Sequence, residues 1–141
     1  MEKENCLFCK IVAGEIPSTR LYDDSDVIVI LDVNPISRGH SLVIPKHHYE
    51  YLESVDPRVF GRVAEVARRL SSHMIDTGFC EGTNLFLSNH KVANQSVFHL
   101  HMHVIPRRAK DNVNLAGWWK ELSQGLSSSD MKDLAGKLSF E

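Results

Sequence analysis

The sequence predicts an α+β domain: an antiparallel sheet covered by one long helix, with a short helix near the N-terminus. Three observations carry this. Short β-rich runs are spread along the chain, one helical pattern is far longer than any other, and no series of helices alternates with the strands. A doubly wound parallel sheet needs a crossover between each pair of parallel strands, and one long helix does not supply them.

Residues 8–13 fit a short helix, with Gly14 ending it and Pro17 beyond. Residues 21–23 and 27–31 fit a hairpin around Asp24-Ser25-Asp26. Asn34-Pro35-Ile36-Ser37-Arg38-Gly39 is a loop by composition, and residues 40–45 are the next strand, closed by Pro45. Asp56 suits an N-cap and Pro57 the first helical position. From there Val59, Val63, Val66, Leu70 and Met74 recur at steps of three and four, and Gly78 is the natural stop. Residues 84–89 read as a strand.

Residues 99–104 alternate strictly. Leu100, Met102 and Val104 take one face and pack on the helix stripe; His99, His101 and His103 take the other. Beyond Arg108 the pattern loosens, with Gly117-Trp118-Trp119 and a last short helix starting near Ser129. The expected organisation is one domain over residues 1–110 and a C-terminal tail over 111–141.

Composition bounds the function. A chain of 141 residues and 16.0 kDa is about one domain, long enough to bury roughly 68–70% of its unfolded surface. Hydrophobic residues at 43% and charged ones at 24% argue against disorder and against a fibrous chain. A net charge of −2 gives no basic excess, which speaks against nucleic acid as the main partner. The charged start, Met1-Glu2-Lys3-Glu4-Asn5, has no apolar stretch behind it, and the run Val27–Leu31 is far too short for a membrane span. Three cysteines, two of them in Cys6-Leu7-Phe8-Cys9, fit a reducing cytoplasm better than a disulfide framework.

The anomaly is histidine, with eight in the chain. Three imidazoles on one face of a strand admit two chemistries. They can bind a metal, or one can be a nucleophile that its neighbours orient. Gln95 and Ser96 offer neutral donors at the entry to this strand, and Asn89 ends the preceding one. Such donors can hold an anionic oxygen, or simply serve a turn. The Cys6/Cys9 pair admits a metal, buried thiols or redox chemistry, although no strand precedes it as in a thioredoxin-like unit. Cys80, after the long helix, fits a small buried hydrophobe.

The run Gln95-Ser96-Val97-Phe98-His99-Leu100-His101-Met102-His103-Val104-Ile105-Pro106 resembles the signature of the histidine-triad (HIT) nucleotide hydrolases. Cys6-Leu7-Phe8-Cys9-Lys10-Ile11, Gly14-Glu15-Ile16-Pro17, Leu31-Asp32, Gly39-His40 and Leu42-Val43-Ile44-Pro45-Lys46, with His47-His48 behind it, resemble the same family's N-terminal half. Ser-Val-Phe between Gln95 and His99 is similar to the Hint-like branch rather than the Fhit-like one. Asn94 departs from the glycine this branch often carries there, which puts the turn beside the phosphates in question.

The resemblance implies a HIT-like fold that dimerises. It implies a hydrolase acting at the α-phosphorus of purine nucleotides through a nucleotidyl-histidine. A nucleoside phosphoramidase comes first. A dinucleoside polyphosphate hydrolase is the alternative within the class. A nucleotide-binding scaffold with little turnover, or a metalloenzyme using all three strand histidines, are the alternatives outside it. By the same resemblance His101 is the nucleophile, supported by His103, with His40 near the phosphate. Ser96, Asn89 and Gln95 lie at the phosphate oxygens, and Asp32 at the ribose hydroxyls. Leu7, Phe8, Ile11, Ile16, Leu31 and Val33 surround the base. Cys6, Cys9, His48 and His99 match the ligands of a structural zinc in bacterial-type members. The tail with Trp118 lies near the active site across the dimer. His47, His73 and His90 remain ordinary surface or packed side chains.

Overall fold

A computed structural model describes residues 3–141. Met1 and Glu2, the head of the charged start, lie outside the described residues. A five-stranded antiparallel sheet runs in the order β1-β2-β3-β5-β4. The strands are β1 (Arg20–Asp23), β2 (Val27–Leu31), β3 (Ser41–Pro45), β4 (Gly82–Phe86) and β5 (Met102–Arg107). The helices are α1 (Leu7–Val12), α2 (Pro57–Asp76), α3 (Leu115–Leu122) and α4 (Ser128–Leu138). No described helix is long and apolar enough to cross a membrane.

The sheet is buried on both faces at its centre, which explains why β2 and β3 read as continuous apolar runs. Val27 and Val29 of β2, Val43 of β3 and Val104 of β5 pack with Val63, Val66, Ala67 and Met74 of α2. Cys80 joins this cluster, as expected of a small hydrophobe. The opposite side chains, Ile28, Ile30, Leu42 and Ile44, pack with Phe8 and Ile11 of α1. Because side chains alternate along a strand, placing Val104 on the α2 face puts His103 on the α1 face. Cross-strand partners Leu42 and Phe86 flank His103.

The long helix follows its sequence signals. The Asp56 carboxylate accepts from the amides of Arg58 and Val59, Pro57 opens the helix, and Gly78 takes a φ of +76° just beyond it. The hairpin turn is organised by Asp24, whose carboxylate accepts from the amides of Asp26 and Val27, the Tyr22 hydroxyl and Arg62.

Two boundaries move. The strand expected at 84–89 is Gly82–Phe86. The extended run gives way because Asn89 is tied sideways to the 52–53 turn and His90 takes a φ of +73°. The histidine strand begins at Met102, three residues later than expected. The amide of Leu100 donates to the Tyr49 carbonyl instead of a ladder partner, so His99 and His101 lie on the approach to the strand. The tail is more helical than its sequence suggests, yet α3 and α4 bury no residue.

Candidate active site and metal centre

The site lies where α1, the β2–β3 loop and the approach to β5 meet. A cavity of about 720 Å³ opens there. Leu7, Phe8, Ile11, Leu31, Leu42 and Val97 form its apolar wall, and Asp32, Ser96, His101 and His103 its polar end. Val33 lines it while 89% exposed, at the rim. Ile16 does not line it; it packs against the α1 cluster. A smaller crevice of about 410 Å³ beside α2, with Tyr22, Val66, Arg69 and His73, gathers none of the other candidate residues.

His101 is 7% exposed. Its Nδ1 lies 2.8 Å from the carbonyl oxygen of His99. A carbonyl only accepts, so Nδ1 carries the proton and Nε2 keeps its lone pair. Burial pushes His101 below the ordinary histidine range, against the pull of the His99 carbonyl and of Asp32. The imidazole is therefore neutral near pH 7, the state a nucleophile needs.

A second chain of bonds fixes His103. The amide of Ile36 donates to Nδ1 of His40 at 3.0 Å, so the His40 proton sits on Nε2. That Nε2 lies 2.8 Å from Nδ1 of His103 and 3.6 Å from the Asp32 carboxylate. His103 accepts at Nδ1 and so presents N–H from Nε2. Burial first, then His101 and His40, hold His103 at about 4 against Asp32. Burial also lowers His40, with Asp32 opposing. The neighbours of His101 are thus neutral donors in the free chain, not cations.

The His40 position depends on glycine. Gly39 has a φ of +95°, and a Cβ there would come within 2.5 Å of the Phe79 ring. The departure at Asn94 resolves the same way. Asn94 adopts a left-handed φ of +69°, the conformation a glycine would supply and asparagine tolerates.

Asn89 and Gln95 are engaged in loop bonds. Asn89 accepts from the Leu52 amide and donates to Glu53. Gln95, nearly fully buried, accepts from the His90 amide and donates to the Glu50 and Val97 carbonyls. Ser96 is exposed at the cavity. Sequence reasoning missed the His90 ring stacked 4.0 Å from Tyr51 and the Glu53 carboxylate beside it. No sequence spacing signals that long-range contact.

Cys6, Cys9, His48 and His99 converge on the other side of His101. Their ligand atoms all lie within 4.8 Å of one another. His99 Nδ1 is 3.3 Å from Cys6 Sγ, 3.5 Å from Cys9 Sγ and 3.2 Å from His48 Nδ1. Cys9 Sγ is 3.3 Å from His48 Nδ1. A tetrahedral ion with bonds of about 2.0–2.3 Å has ligand–ligand edges of roughly 3.3–3.8 Å, so the set fits a metal with little adjustment. His99 Nε2 donates to the Pro45 carbonyl at 2.7 Å, which leaves the Nδ1 lone pair to the cluster. Cys6 also caps α1, its sulfur accepting from the Cys9 amide. A further cluster, Asp32, His40 and His103, has the donor types for a metal too, but its histidines are hydrogen-bonded to each other.

Residues 13–110 match the profile described as the HIT domain. The chain is similar to protein hit of Bacillus subtilis, 36% identical over 139 residues, covering 96% of this chain and 92% of that protein. It is 40% identical over 109 residues to adenylylsulfatase HINT3 of Arabidopsis thaliana, covering 77% of this chain and 55% of the other. It is 36% identical over 114 residues to adenosine 5'-monophosphoramidase HNT1 of Saccharomyces cerevisiae, covering 80% and 69%. Among solved structures, a HIT-family protein from Bacillus subtilis superposes with a TM-score of 0.82 at 32% identity, covering 95% of this chain and 94% of that one. A Zn-bound histidine triad family protein from Mycobacterium smegmatis gives a TM-score of 0.76 at 37% identity, covering 81% and 83%. With this profile, these relatives and the shared fold, the chain belongs to the HIT family.

Proposed function

We propose that the protein is a nucleotidyl hydrolase acting at the α-phosphorus of purine nucleotides, with nucleoside phosphoramidates as its first substrate class. The observation that carries this is the bond from His101 Nδ1 to the His99 carbonyl, which leaves a neutral imidazole with its lone pair on Nε2 at the polar end of an apolar cavity. The names of the Arabidopsis and yeast relatives place an adenylyl group in both substrates and differ in the leaving group. That supports a shared attack on the adenylyl phosphorus.

The apolar wall takes the base and Asp32 the ribose hydroxyls. In the first step His101 Nε2 bonds to phosphorus as the bond to the leaving group breaks, and a departing amine takes up a proton from solvent. In the second, water bonds to phosphorus and releases a proton to solvent, the histidine–phosphorus bond breaks with its electron pair returning to Nε2, and the nucleoside monophosphate leaves. Negative charge spreads over the phosphoryl oxygens, where Ser96 and the Nε2–H of His103 are the donors at hand. Asn89 and Gln95 shape the adjoining loop, and His40 holds His103.

Cys6, Cys9, His48 and His99 would hold a structural zinc, a closed Cys₂His₂ set with no open position for substrate. An odd number of cysteines, two of them gathered in this candidate metal set, suits a reducing compartment such as the cytoplasm. The open edge of β4, with Leu85 and Phe86 exposed, suits a homodimer.

The test compares adenosine 5′-phosphoramidate, adenylated lysine and diadenosine tetraphosphate as substrates, with mass spectrometry of the protein. A nucleotidyl adduct on His101 is expected, with turnover reduced about 10⁴-fold or more in His101→Ala. Unimpaired turnover by that variant ends the mechanism.

A further inference from the structure

We infer that the Cys6–Cys9–His48–His99 cluster sets the position and tautomer of His101, with Phe8 as the second arm of the same clamp. This rests on His101 being the nucleophile, and its test separates the two claims.

Two routes lead from the cluster to His101. The first runs through His99, which is fully buried and held at both ring nitrogens. Nε2 donates to Pro45, and Nδ1 sits among the two sulfurs and His48. Only Cβ and Cα separate that ring from the His99 carbonyl, which accepts the His101 Nδ1 proton at 2.8 Å. The second route runs through α1. Cys6 caps this helix and Cys9 lies in its first turn, with Phe8 between them. The Phe8 ring meets His99 edge-on at 5.8 Å and His101 edge-on at 5.0 Å. The sulfurs fix the helix, the helix fixes Phe8, and Phe8 fixes one side of the nucleophile's ring.

The clamp therefore holds His101 at an atom and at a face. Release of either contact frees the neutral ring to turn or to move its proton from Nδ1 to Nε2. The second change takes away the lone pair at the reacting nitrogen. With a metal bound, Cys6, Cys9 and His99 would be held together, and both arms with them. Its influence falls on the chemical step, because misplacing a reacting group by about 1 Å costs on the order of 10²-fold. His48, His99 and Phe8 are in this sense positioning residues.

The experiment uses the full chain, stripped with a chelator and reloaded with zinc sulfate alone. Imidazole nitrogen resonances of His101 are read at pH 8, where the ring is neutral, and far-UV circular dichroism reports the fold. With zinc, Nδ1 should show as the protonated nitrogen. Without it, both nitrogens should move toward averaged values, with kcat falling about tenfold or more while KM changes less than about threefold. Unchanged His101 resonances in a chelated chain that is still folded overturn the inference, and so does a chain that takes up no zinc. Should chelation unfold the chain, zinc-loaded Phe8→Leu decides, since it keeps all four cluster residues. Averaged His101 resonances there support the clamp, and unchanged ones overturn it. A chain with the expected resonance shifts but no nucleotide turnover removes the proposed function and leaves the clamp standing.

Discussion

The imidazoles of His40 and His103 meet between neighbouring strands, Nε2 of the first 2.8 Å from Nδ1 of the second. The Ile36 amide has already fixed the His40 tautomer, so the pair has one direction: His40 donates and His103 accepts. His40→Ala should therefore free His103 to present a lone pair toward the cavity instead of an N–H. Turnover should fall about 10–100-fold, the usual cost of removing a group that orients a functional side chain. His40→Gln, whose side-chain amide can carry an N–H donor to about the reach of the imidazole Nε2, should recover part of it. Steady-state kinetics of the two variants checks this.

Acid should destabilise the chain through the same residues. Burial, with His101 and His40 adding to it, holds His103 at about 4. An unfolded histidine titrates near 6.5. Between those values the unfolded state binds more protons than the folded one, so unfolding free energy rises with pH across the window. Stability should be full above about 6.5 and decline as pH falls toward 4. Urea midpoints measured from neutral to acid pH should show this, with a shallower decline in His103→Gln.

Asp24 should carry stability without touching the site. Burial works against its charge, but the Tyr22 hydroxyl, the amides of Asp26 and Val27, and Arg62 together hold its carboxyl well below the usual range. Asp24→Ala strands two turn amides and breaks the link from hairpin to α2. A loss of about 2 kcal/mol is expected, or roughly 6–8 °C in Tm for a chain of this size, with kcat close to the parent's. Thermal melts beside a turnover assay separate the two effects.

Gly39→Ala should couple stability to function. Both the φ of +95° and the Phe79 ring oppose a Cβ at this position. We expect a cost of about 2–3 kcal/mol. His40 follows directly, so kcat should fall as well. A variant as stable as the parent would mean that Phe79 yields without resistance.

Metal content offers a direct measurement. Zinc at one ion per chain is expected in the parent, and little in Cys6→Ser with Cys9→Ser. Elemental analysis after dialysis reads the difference. Equal zinc in both refutes the cluster as its holder.

Much of this arrangement is legible in the sequence because it rests on short-range signals. Asp56-Pro57 and Gly78 bracket α2, and its apolar steps name the face that meets Val104. The alternation around His103 identifies which side chains share a face. What stays hidden depends on contacts far apart in the chain. Strict alternation suggests that all three histidines lie in one strand, yet the Leu100–Tyr49 bond delays the ladder. Asn89 looks like a strand end facing phosphate, but Glu53, distant in sequence, takes its amide. The His40–His103 bond spans 63 positions, and only sheet register brings the two together.

The strand order has a consequence for biosynthesis. The strand that enters the sheet last in sequence, β5, lies between β3 and β4 in space. On a ribosome the hairpin and α2 emerge long before the segment that joins them to β4. Cys6, Cys9 and His48 must likewise wait for His99 before their cluster is complete. A nascent chain that stops short of residue 99 exposes apolar strand faces and unpaired edges, the features that invite aggregation and chaperone capture. Arrival of the histidine segment is thus the event that completes the sheet and brings the histidine-lined cavity together.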